Sequence, residues 1–261
     1  MRVVSLHADV LIATSAIWQT NCAIVRSGEE AFAIDSPVLP EEIDALPAVL
    51  NQAGFPAPVG LLATHADWDH LLGRLAFPEA ALGCARSTAE RLRATPGEAQ
   101  RELRAFDERH YLGRPTPLSL GSVQALEVPG RCELGAHELA LHPTEGHTGD
   151  GMAIWSAWSG VLVLGDYLSA VEIPVLGEGG SPELYAATLE RLRAPLAQAQ
   201  FVVPGHGPVL GSERALELLA EDLTYLRDLG AHGADTRLPE GRSGRAQRSI
   251  HAANLASVAA G

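Results

Sequence analysis

Four short apolar segments, each followed by residues able to ligate a metal, constrain this chain more than any other feature of its sequence. The segments lie at residues 59–64, 137–142, 161–165 and 199–204, and their length and apolar character predict buried strands. Open α/β proteins place ligand-binding residues at the carboxyl ends of their strands. We therefore expect the residues that follow these four segments to meet at one edge of a sheet.

Seven side chains of metal-ligand type follow the four segments. They are His65, Asp67, Asp69, His70, His147, Asp166 and His206. Imidazole nitrogens and carboxylate oxygens suit zinc, iron or manganese. Seven ligands exceed the four of one tetrahedral ion, and they suit two ions that share Asp166 as a bridging carboxylate.

The order of these residues resembles that of the metallo-β-lactamase-fold hydrolases. The family pattern is T-H-x-H-x-D-H, then G-H-T, G-D and P-G-H-G, and this chain has THADWDH at 64–70, GHT at 146–148, GD at 165–166 and PGHG at 204–207. Asp35 also matches an acid that members often carry early in the chain. The match covers about residues 18–210. It implies an α/β (α+β) fold, a four-layer αββα sandwich with the metals at one edge of its two sheets.

The resemblance also implies a role for each matching residue. His65, Asp67 and His147 hold one ion, Asp69, His70 and His206 hold the other, and Asp166 bridges them. The cofactors it implies are two divalent ions, zinc above all, which activate water, while Asp69 is the catalytic residue that orients the nucleophile and takes up a proton.

Asp67 departs from the family pattern, which has a second His at this position. A carboxylate is a harder ligand than an imidazole, so it admits iron or manganese beside zinc. It is similar in this respect to the flavodiiron branch, which carries Glu there and binds iron.

The leading interpretation is a metal-dependent hydrolase acting on a small ester, lactone, thioester or related molecule. Two alternatives stay open. One is an iron-dependent redox enzyme of the same fold, such as a persulfide oxygenase or a flavodiiron-like protein. The other is a non-catalytic binding protein with a degenerate site, against which the intact set of seven ligands counts.

Composition excludes several other functions. The 261 residues are 46% hydrophobic and 20% charged, which is typical of a globular chain with a sizeable core. All 19 basic residues are Arg, and the lack of Lys excludes Schiff-base chemistry and a Lys-dependent phosphate loop. The net charge of −13 disfavours a nucleic acid or an anionic membrane as partner, so we expect a small-molecule substrate. The oligomeric state is left open.

The two ends of the chain carry further expectations. The first 18 residues lack a clean apolar core with a small-residue cleavage site, which predicts no signal peptide and a cytoplasmic location. We expect one domain over residues 1–230 and a tail over residues 231–261 that is partly helical or mobile. Four arginines of this tail are expected to be solvated: Arg237, Arg242, Arg245 and Arg248.

Local patterns predict the remaining elements. Strands are expected at 18–26, 30–35, 80–85, 122–128 and 152–157, and helices at 39–53, 87–106, 212–229 and 248–259, with a loop at 107–121. A further helix that begins after Ser181 is expected to bury Tyr185, Leu189, Leu192 and Leu196, and the helix at 212–229 to bury Leu216, Leu219, Leu223 and Leu226. Ser181 followed by Pro182 is typical of a helix start. Trp68 and Tyr167, next to predicted ligands, are expected to pack rather than to contact substrate.

Overall fold

The computed structural model describes residues 1–260 and contains two β-sheets. The first has seven strands in chain order, Arg2–His7 (β1), Val10–Thr14 (β2), Asn21–Ser27 (β3), Glu30–Ile34 (β4), Gly60–Ala63 (β5), Ala81–Ala85 (β6) and Val123–Leu126 (β7). β1 to β4 pair antiparallel, whereas β4 to β7 pair parallel. β5, whose end carries the first predicted ligands, therefore has a parallel neighbour on each side.

The second sheet has five strands in the order β12-β11-β10-β9-β8. They are Gly130–Leu134 (β8), His137–Pro143 (β9), Met152–Ser156 (β10), Val161–Gly165 (β11) and Phe201–Pro204 (β12). Only the β11–β12 pair is parallel among the described strands of this sheet, so Gly165 and Pro204 end at the same edge.

Seven α-helices cover the two sheets over the described residues. They are Pro40–Gln52 (α1), Gly73–Ala76 (α2), Arg86–Ala94 (α3), Glu98–His110 (α4), Pro182–Gln198 (α5), Ser212–His232 (α6) and Arg245–Ala260 (α7), with short 3₁₀ helices at Trp68–His70 and Gly233–Asp235. Within residues 1–260, none of these helices combines the length and the apolar character that crossing a membrane requires.

The sheets lie face to face, and alternate residues of one strand enter different cores. In β2, Val10 and Ile12 pack between the two sheets, whereas Leu11 and Ala13 pack against α1 and its neighbours. Leu162 of β11 packs toward α5 and α6 on the far side. Three apolar interfaces thus separate four layers, which confirms the αββα sandwich.

Helix α5 begins as its sequence predicts. The Ser181 side chain accepts a hydrogen bond from the Leu184 amide at 3.2 Å, and Pro182 occupies the first turn. The predicted apolar face is buried and consists of Tyr185, Leu189, Leu192 and Leu196.

The structure differs from the predicted elements in several places, among them the unexpected strand β8 and the extension of α4 to His110, into the loop expected at 107–121. The β1–β2 hairpin was not expected, because its turn residues at 7–9 interrupt the apolar stretch. The single helix expected at 87–106 is two helices, since Thr95, Pro96 and Gly97 separate α3 from α4. The buried face of α6 is rotated, so that Leu218 and Asp222 are buried while Leu216 and Leu223 are only partly so.

The C-terminal segment packs on the second layer of helices. Arg242 is 2% exposed and pairs with buried Asp222 at 2.7 Å, so the expectation of a solvated Arg242 is wrong. Arg237, Arg245 and Arg248 are exposed as expected. Asn254 of α7 is fully buried. The division of the chain at residue 230 stays a prediction.

Candidate functional site

The structure brings all seven predicted ligand residues together at one edge of the sandwich. They lie in the loops that follow β5, β9, β11 and β12. Six of these residues form two groups, and within each group the ligand atoms all lie within 4.8 Å of one another. Group A is His65, Asp67 and His147, and group B is Asp69, His70 and His206. A third such set joins Asp166 to His65 and His70.

Group A surrounds a common point with imidazole and carboxylate atoms. Asp67 Oδ2 lies 3.5 Å from His65 Nε2 and 3.4 Å from His147 Nε2. Asp166 Oδ2 lies 3.4 Å from His147 Nε2 and 3.9 Å from His65 Nε2. The four residues therefore supply two nitrogens and two oxygens to one small volume.

Group B has the same arrangement. Asp69 Oδ2 lies 3.4 Å from His206 Nε2 and 3.7 Å from His70 Nε2. Asp166 contributes again, with Oδ2 3.3 Å from His206 Nε2 and Oδ1 3.2 Å from His70 Nε2. Since Asp166 contacts both groups, it stands at the position that a bridging carboxylate requires.

These separations fit divalent metal ions. Ligands about 2.0–2.1 Å from a tetrahedral ion are separated from one another by roughly 3.3 Å. In addition, the Nε2 atoms of His65, His70 and His147 and the Oδ1 atom of Asp166 are buried without a hydrogen-bond partner. Buried polar atoms that make no hydrogen bond are costly, and lone pairs directed at a shared cation remove that cost.

The opposite nitrogen of each imidazole is held by a hydrogen bond, which leaves Nε2 facing the centre. His70 Nδ1 donates to Asp35 Oδ2 at 2.9 Å, and the same carboxylate accepts from the Thr64 amide and hydroxyl at 2.8 Å each. Asp35, identified only by resemblance, is thus a buried support for His70. Thr64 Oγ1 also lies 3.0 Å from His65 Nδ1, so Thr64 connects His65 to the same carboxylate that holds His70.

His147 is fixed at both its ring and its backbone. Its Nδ1 donates to the carbonyl of Val175 at 2.9 Å. Its amide donates at 2.9 Å to the hydroxyl of Tyr167, which in turn donates to the Thr144 carbonyl at 3.0 Å. Tyr167 is buried, and burial raises the pKa of its hydroxyl. The expectation that Tyr167 packs in the core is therefore confirmed.

His206 is held by an N-terminal turn of unusual backbone conformation. Its Nδ1 lies 3.2 Å from the Trp18 carbonyl and 3.2 Å from the Thr20 hydroxyl. Trp18 and Gln19 have φ angles of 55° and 54°, in the left-handed region that non-glycine residues seldom occupy. Such strain persists where the surroundings enforce it, and here the turn aims a carbonyl at His206.

Trp68 packs beside the site, as expected. Its ring centroid lies 5.7 Å from that of Trp18 and 4.8 Å from that of Phe106 on α4. This aromatic contact fixes the short helix that carries Asp69 and His70.

The carboxylates make the centre favourable for positive charge. Burial lowers the pKa of His206, but the neighbouring Asp166 outweighs this and raises the pKa to about 10. Burial also lowers the pKa of His147, but the neighbouring Asp67 and Asp166 outweigh this and raise the pKa to about 9. The pKa of Asp166 is lowered well below its ordinary value, because His206 and His70 outweigh its burial.

Sequence patterns missed two charged residues next to the site. Arg91 of α3 lies 2.8 Å from Asp67 Oδ1 and 3.0 Å from Asp150 Oδ1. Asp150 is 2% exposed and accepts the Ala66 amide at 3.0 Å. The alternation of Arg and Glu in 86–104 does not indicate which arginine faces inward. Only Asp150 could have been identified as a residue near the site, because it follows His147 by three positions.

Solved structures of low sequence identity share the fold. A metallo-beta-lactamase from Pontibacter korlensis has a TM-score of 0.61 and 20% identity, covering 87% of this chain and 99% of that one. The stereoselective inverting sec-alkylsulfatase Pisa1 from Pseudomonas sp. has a TM-score of 0.74 and 14% identity, and the match covers 98% of this chain and 49% of that one. TTHA1623 in a di-iron-bound form has a TM-score of 0.60 and 23% identity, and the match covers 79% of this chain and 97% of that one.

The family is established by sequence as well as by fold. No curated protein sequence matches the chain. The family model of the metallo-beta-lactamase superfamily matches residues 16–211, a span that contains all seven predicted ligand residues. The chain therefore belongs to the metallo-beta-lactamase superfamily.

Proposed function

We propose that this protein is a hydrolase that uses two divalent metal ions, most readily zinc, to cleave a small ester, lactone, thioester or related molecule. One observation carries the proposal. Asp166 Oδ2 lies within 3.4 Å of a ligand nitrogen of group A and within 3.3 Å of one of group B. A single carboxylate shared by two otherwise complete ligand sets supports a dinuclear centre.

Two such ions, if bound there, would lower the pKa of water from about 15.7 to near 7 and polarise a carbonyl oxygen. His65, Asp67 and His147 would hold one of them, and Asp69, His70 and His206 would hold the other. The hydrogen bonds of Asp35 and of the Val175 carbonyl keep the imidazoles in a fixed orientation. The chain thus provides a centre whose ligands need little rearrangement during the reaction.

Asp69 is the carboxylate proposed to handle the proton. Its side chain is 11% exposed and its Oδ2 atom lies 3.4 Å from His206 Nε2, so it faces the centre and is still reached by solvent. In this position Asp69 orients the water and accepts its proton, then gives it to the leaving group. Asp69→Asn keeps the shape of the side chain but removes the base, so we expect a large loss of kcat.

The charge of the protein supports a small, uncharged substrate. With 32 acidic and 19 basic residues, the chain repels a nucleic-acid backbone or an anionic membrane. Near the site, Arg91 is already engaged with Asp67 and Asp150. An ester, lactone or thioester carbonyl needs no additional cation for binding. A cytoplasmic location remains a prediction.

Elemental analysis of the purified protein, followed by a screen of esters, lactones, thioesters and phosphodiesters, tests the proposal. We expect close to two ions per chain and zinc-dependent turnover of a carbonyl substrate, lost in Asp69→Asn. An exposed acid, Glu213→Gln on α6, is the matched control and should leave turnover unchanged. Bound zinc without turnover of any carbonyl substrate would contradict the hydrolase proposal.

Asp67 favours a second candidate function, an iron-dependent redox enzyme of the same fold. A carboxylate oxygen, Asp67 Oδ2, occupies group A beside two imidazoles, and such a hard ligand suits iron. The likeness to a fold that has been solved in a di-iron-bound form is compatible with this. Iron in the purified protein, with oxygen consumption on a thiol or persulfide, would favour this candidate over hydrolysis.

A further inference from the structure

The guanidinium of Arg91 lies directly behind group A. Arg91 belongs to α3, and its side chain is 20% exposed. Its Nη1 lies 2.8 Å from Asp67 Oδ1 and 3.0 Å from Asp150 Oδ1, and its Nε lies 3.2 Å from Glu178 Oε2. Glu178 is 60% exposed, so its contact with Arg91 is weak, whereas the side chains of Asp67 and Asp150 are 30% and 2% exposed.

The two oxygens of Asp67 face different partners. Oδ1 points to Arg91, and Oδ2 points to the Nε2 atoms of His65 and His147. A carboxylate is planar and rigid, so fixing Oδ1 also fixes the direction of Oδ2. The contact with Arg91 therefore determines where group A places its only oxygen ligand besides that of Asp166.

Asp150 extends this contact to the other half of the site. Its Oδ1 binds Arg91, and its Oδ2 accepts the Ala66 amide at 3.0 Å, between His65 and Asp67. Asp150 itself follows His147 in the loop after β9. Arg91 thereby connects the loop that carries His65 and Asp67 to the loop that carries His147.

The charge of Arg91 is a second reason to expect that it supports group A. Asp67 brings a negative charge to a position where an imidazole would bring none, and buried Asp150 adds another within reach of the same guanidinium. Without a cation, half-buried Asp67 and buried Asp150 would repel each other and be poorly solvated. Arg91 offsets one of these charges permanently, because guanidinium does not titrate in the physiological range.

We propose that Arg91 is a positioning residue for the metal ion of group A, and that it acts through Asp67 by directing Oδ2 and balancing its charge. This inference rests on the proposed function, since it assumes that group A binds a metal. It predicts that Arg91 matters most while residue 67 is a carboxylate, because beside Asp67→His only its contact with Asp150 remains.

A double-mutant cycle on zinc affinity tests this, with zinc titrated against a chromogenic chelator. In the wild-type background, Arg91→Met should weaken one of two zinc equivalents by about 10- to 100-fold, as loss of a group supporting a metal ligand does. In the Asp67→His background, the same change should weaken zinc binding several-fold less, because only the contact of Arg91 with Asp150 is then lost. Arg86→Met, an exposed residue of the same helix, is the control and should change nothing.

The outcomes separate the inference from the proposed function. A wild-type protein that binds neither zinc, manganese nor iron would refute the metal centre itself. A wild-type protein that binds two zinc ions, with equal losses for Arg91→Met in both backgrounds or no loss in either, would overturn only the role of Arg91. If circular dichroism shows that Arg91→Met is unfolded, Arg91→Lys takes its place in the cycle, with smaller losses expected and the larger of the two in the wild-type background.

Discussion

Replacing Asn254 by Leu tests whether the C-terminal helix supports the site. Asn254 is fully buried, and its Oδ1 accepts the Leu176 amide at 2.9 Å while its Nδ2 donates to the Pro174 carbonyl at 2.7 Å. These two bonds flank Val175, whose carbonyl accepts from His147 Nδ1. Asn254 thus anchors the loop that orients a predicted metal ligand.

The size of the effect follows from these contacts. Leu has the branched shape of Asn but is larger and makes none of its hydrogen bonds, so the amide of Leu176 and the carbonyl of Pro174 lose their partner. Each buried group left unpaired costs about 1–3 kcal/mol, so the two together should lower the free energy of unfolding of Asn254→Leu by about 2–6 kcal/mol. For a chain of this size, 3 kcal/mol corresponds to a fall of roughly 6–12 °C in Tm.

Differential scanning calorimetry and zinc titration measure the two consequences. Alongside the fall in Tm, a freer Val175 carbonyl should weaken zinc binding by about tenfold through His147. Val258→Ala, at a position of α7 that is 39% exposed, is the control and should cost little. If Asn254→Leu has the same Tm as the control variant and the same zinc affinity as the wild type, the C-terminal helix does not support the site.

Three further predictions address close packing, pH dependence and helix capping. A Cβ at Gly205 would overlap Asp166 Oδ1, so Gly205→Ala should abolish zinc binding, while Gly211→Ala, in open space, should not. Burial raises the pKa of Asp222 from 3.8 to about 7, so between these values the native state holds a proton that the unfolded state has lost. The free energy of unfolding then falls by roughly 1.4 kcal/mol per pH unit as pH rises, and urea unfolding from pH 5 to pH 7 should show this dependence reduced in Asp222→Asn. Ser181→Ala removes the cap of α5 and should cost about 1 kcal/mol in urea unfolding; no change would mean that the cap is dispensable.

The ligand set was predictable because its chemistry and its place in the fold are both local in sequence. His65 and Asp166 each stand one or two positions after a buried strand, and strand ends in this architecture share one edge. The glycines beside His147 and His206 mark tight turns. Local pattern therefore sufficed for the centre of the site and for the layers that support it.

The supports of the site were not predictable, because they depend on contacts between distant residues. Arg91 reaches Asp150 across 59 positions, and Asn254 reaches the Leu176 amide across 78. The same reason explains the rotated face of α6, where Asp222 is buried because Arg242 is buried beside it. Hydrophobic periodicity assigns charged residues to the surface, and it fails where a distant partner balances the charge.

Zinc stoichiometry of ligand variants tests the central claim, a dinuclear centre shared through Asp166, most directly. Elemental analysis after dialysis should give two zinc ions per chain for the wild type, one each for His147→Ala and His206→Ala, and none when both are replaced. Circular dichroism verifies that each variant is folded. A folded wild type with a single ion, or variants of groups A and B that each retain both ions, would contradict the dinuclear centre.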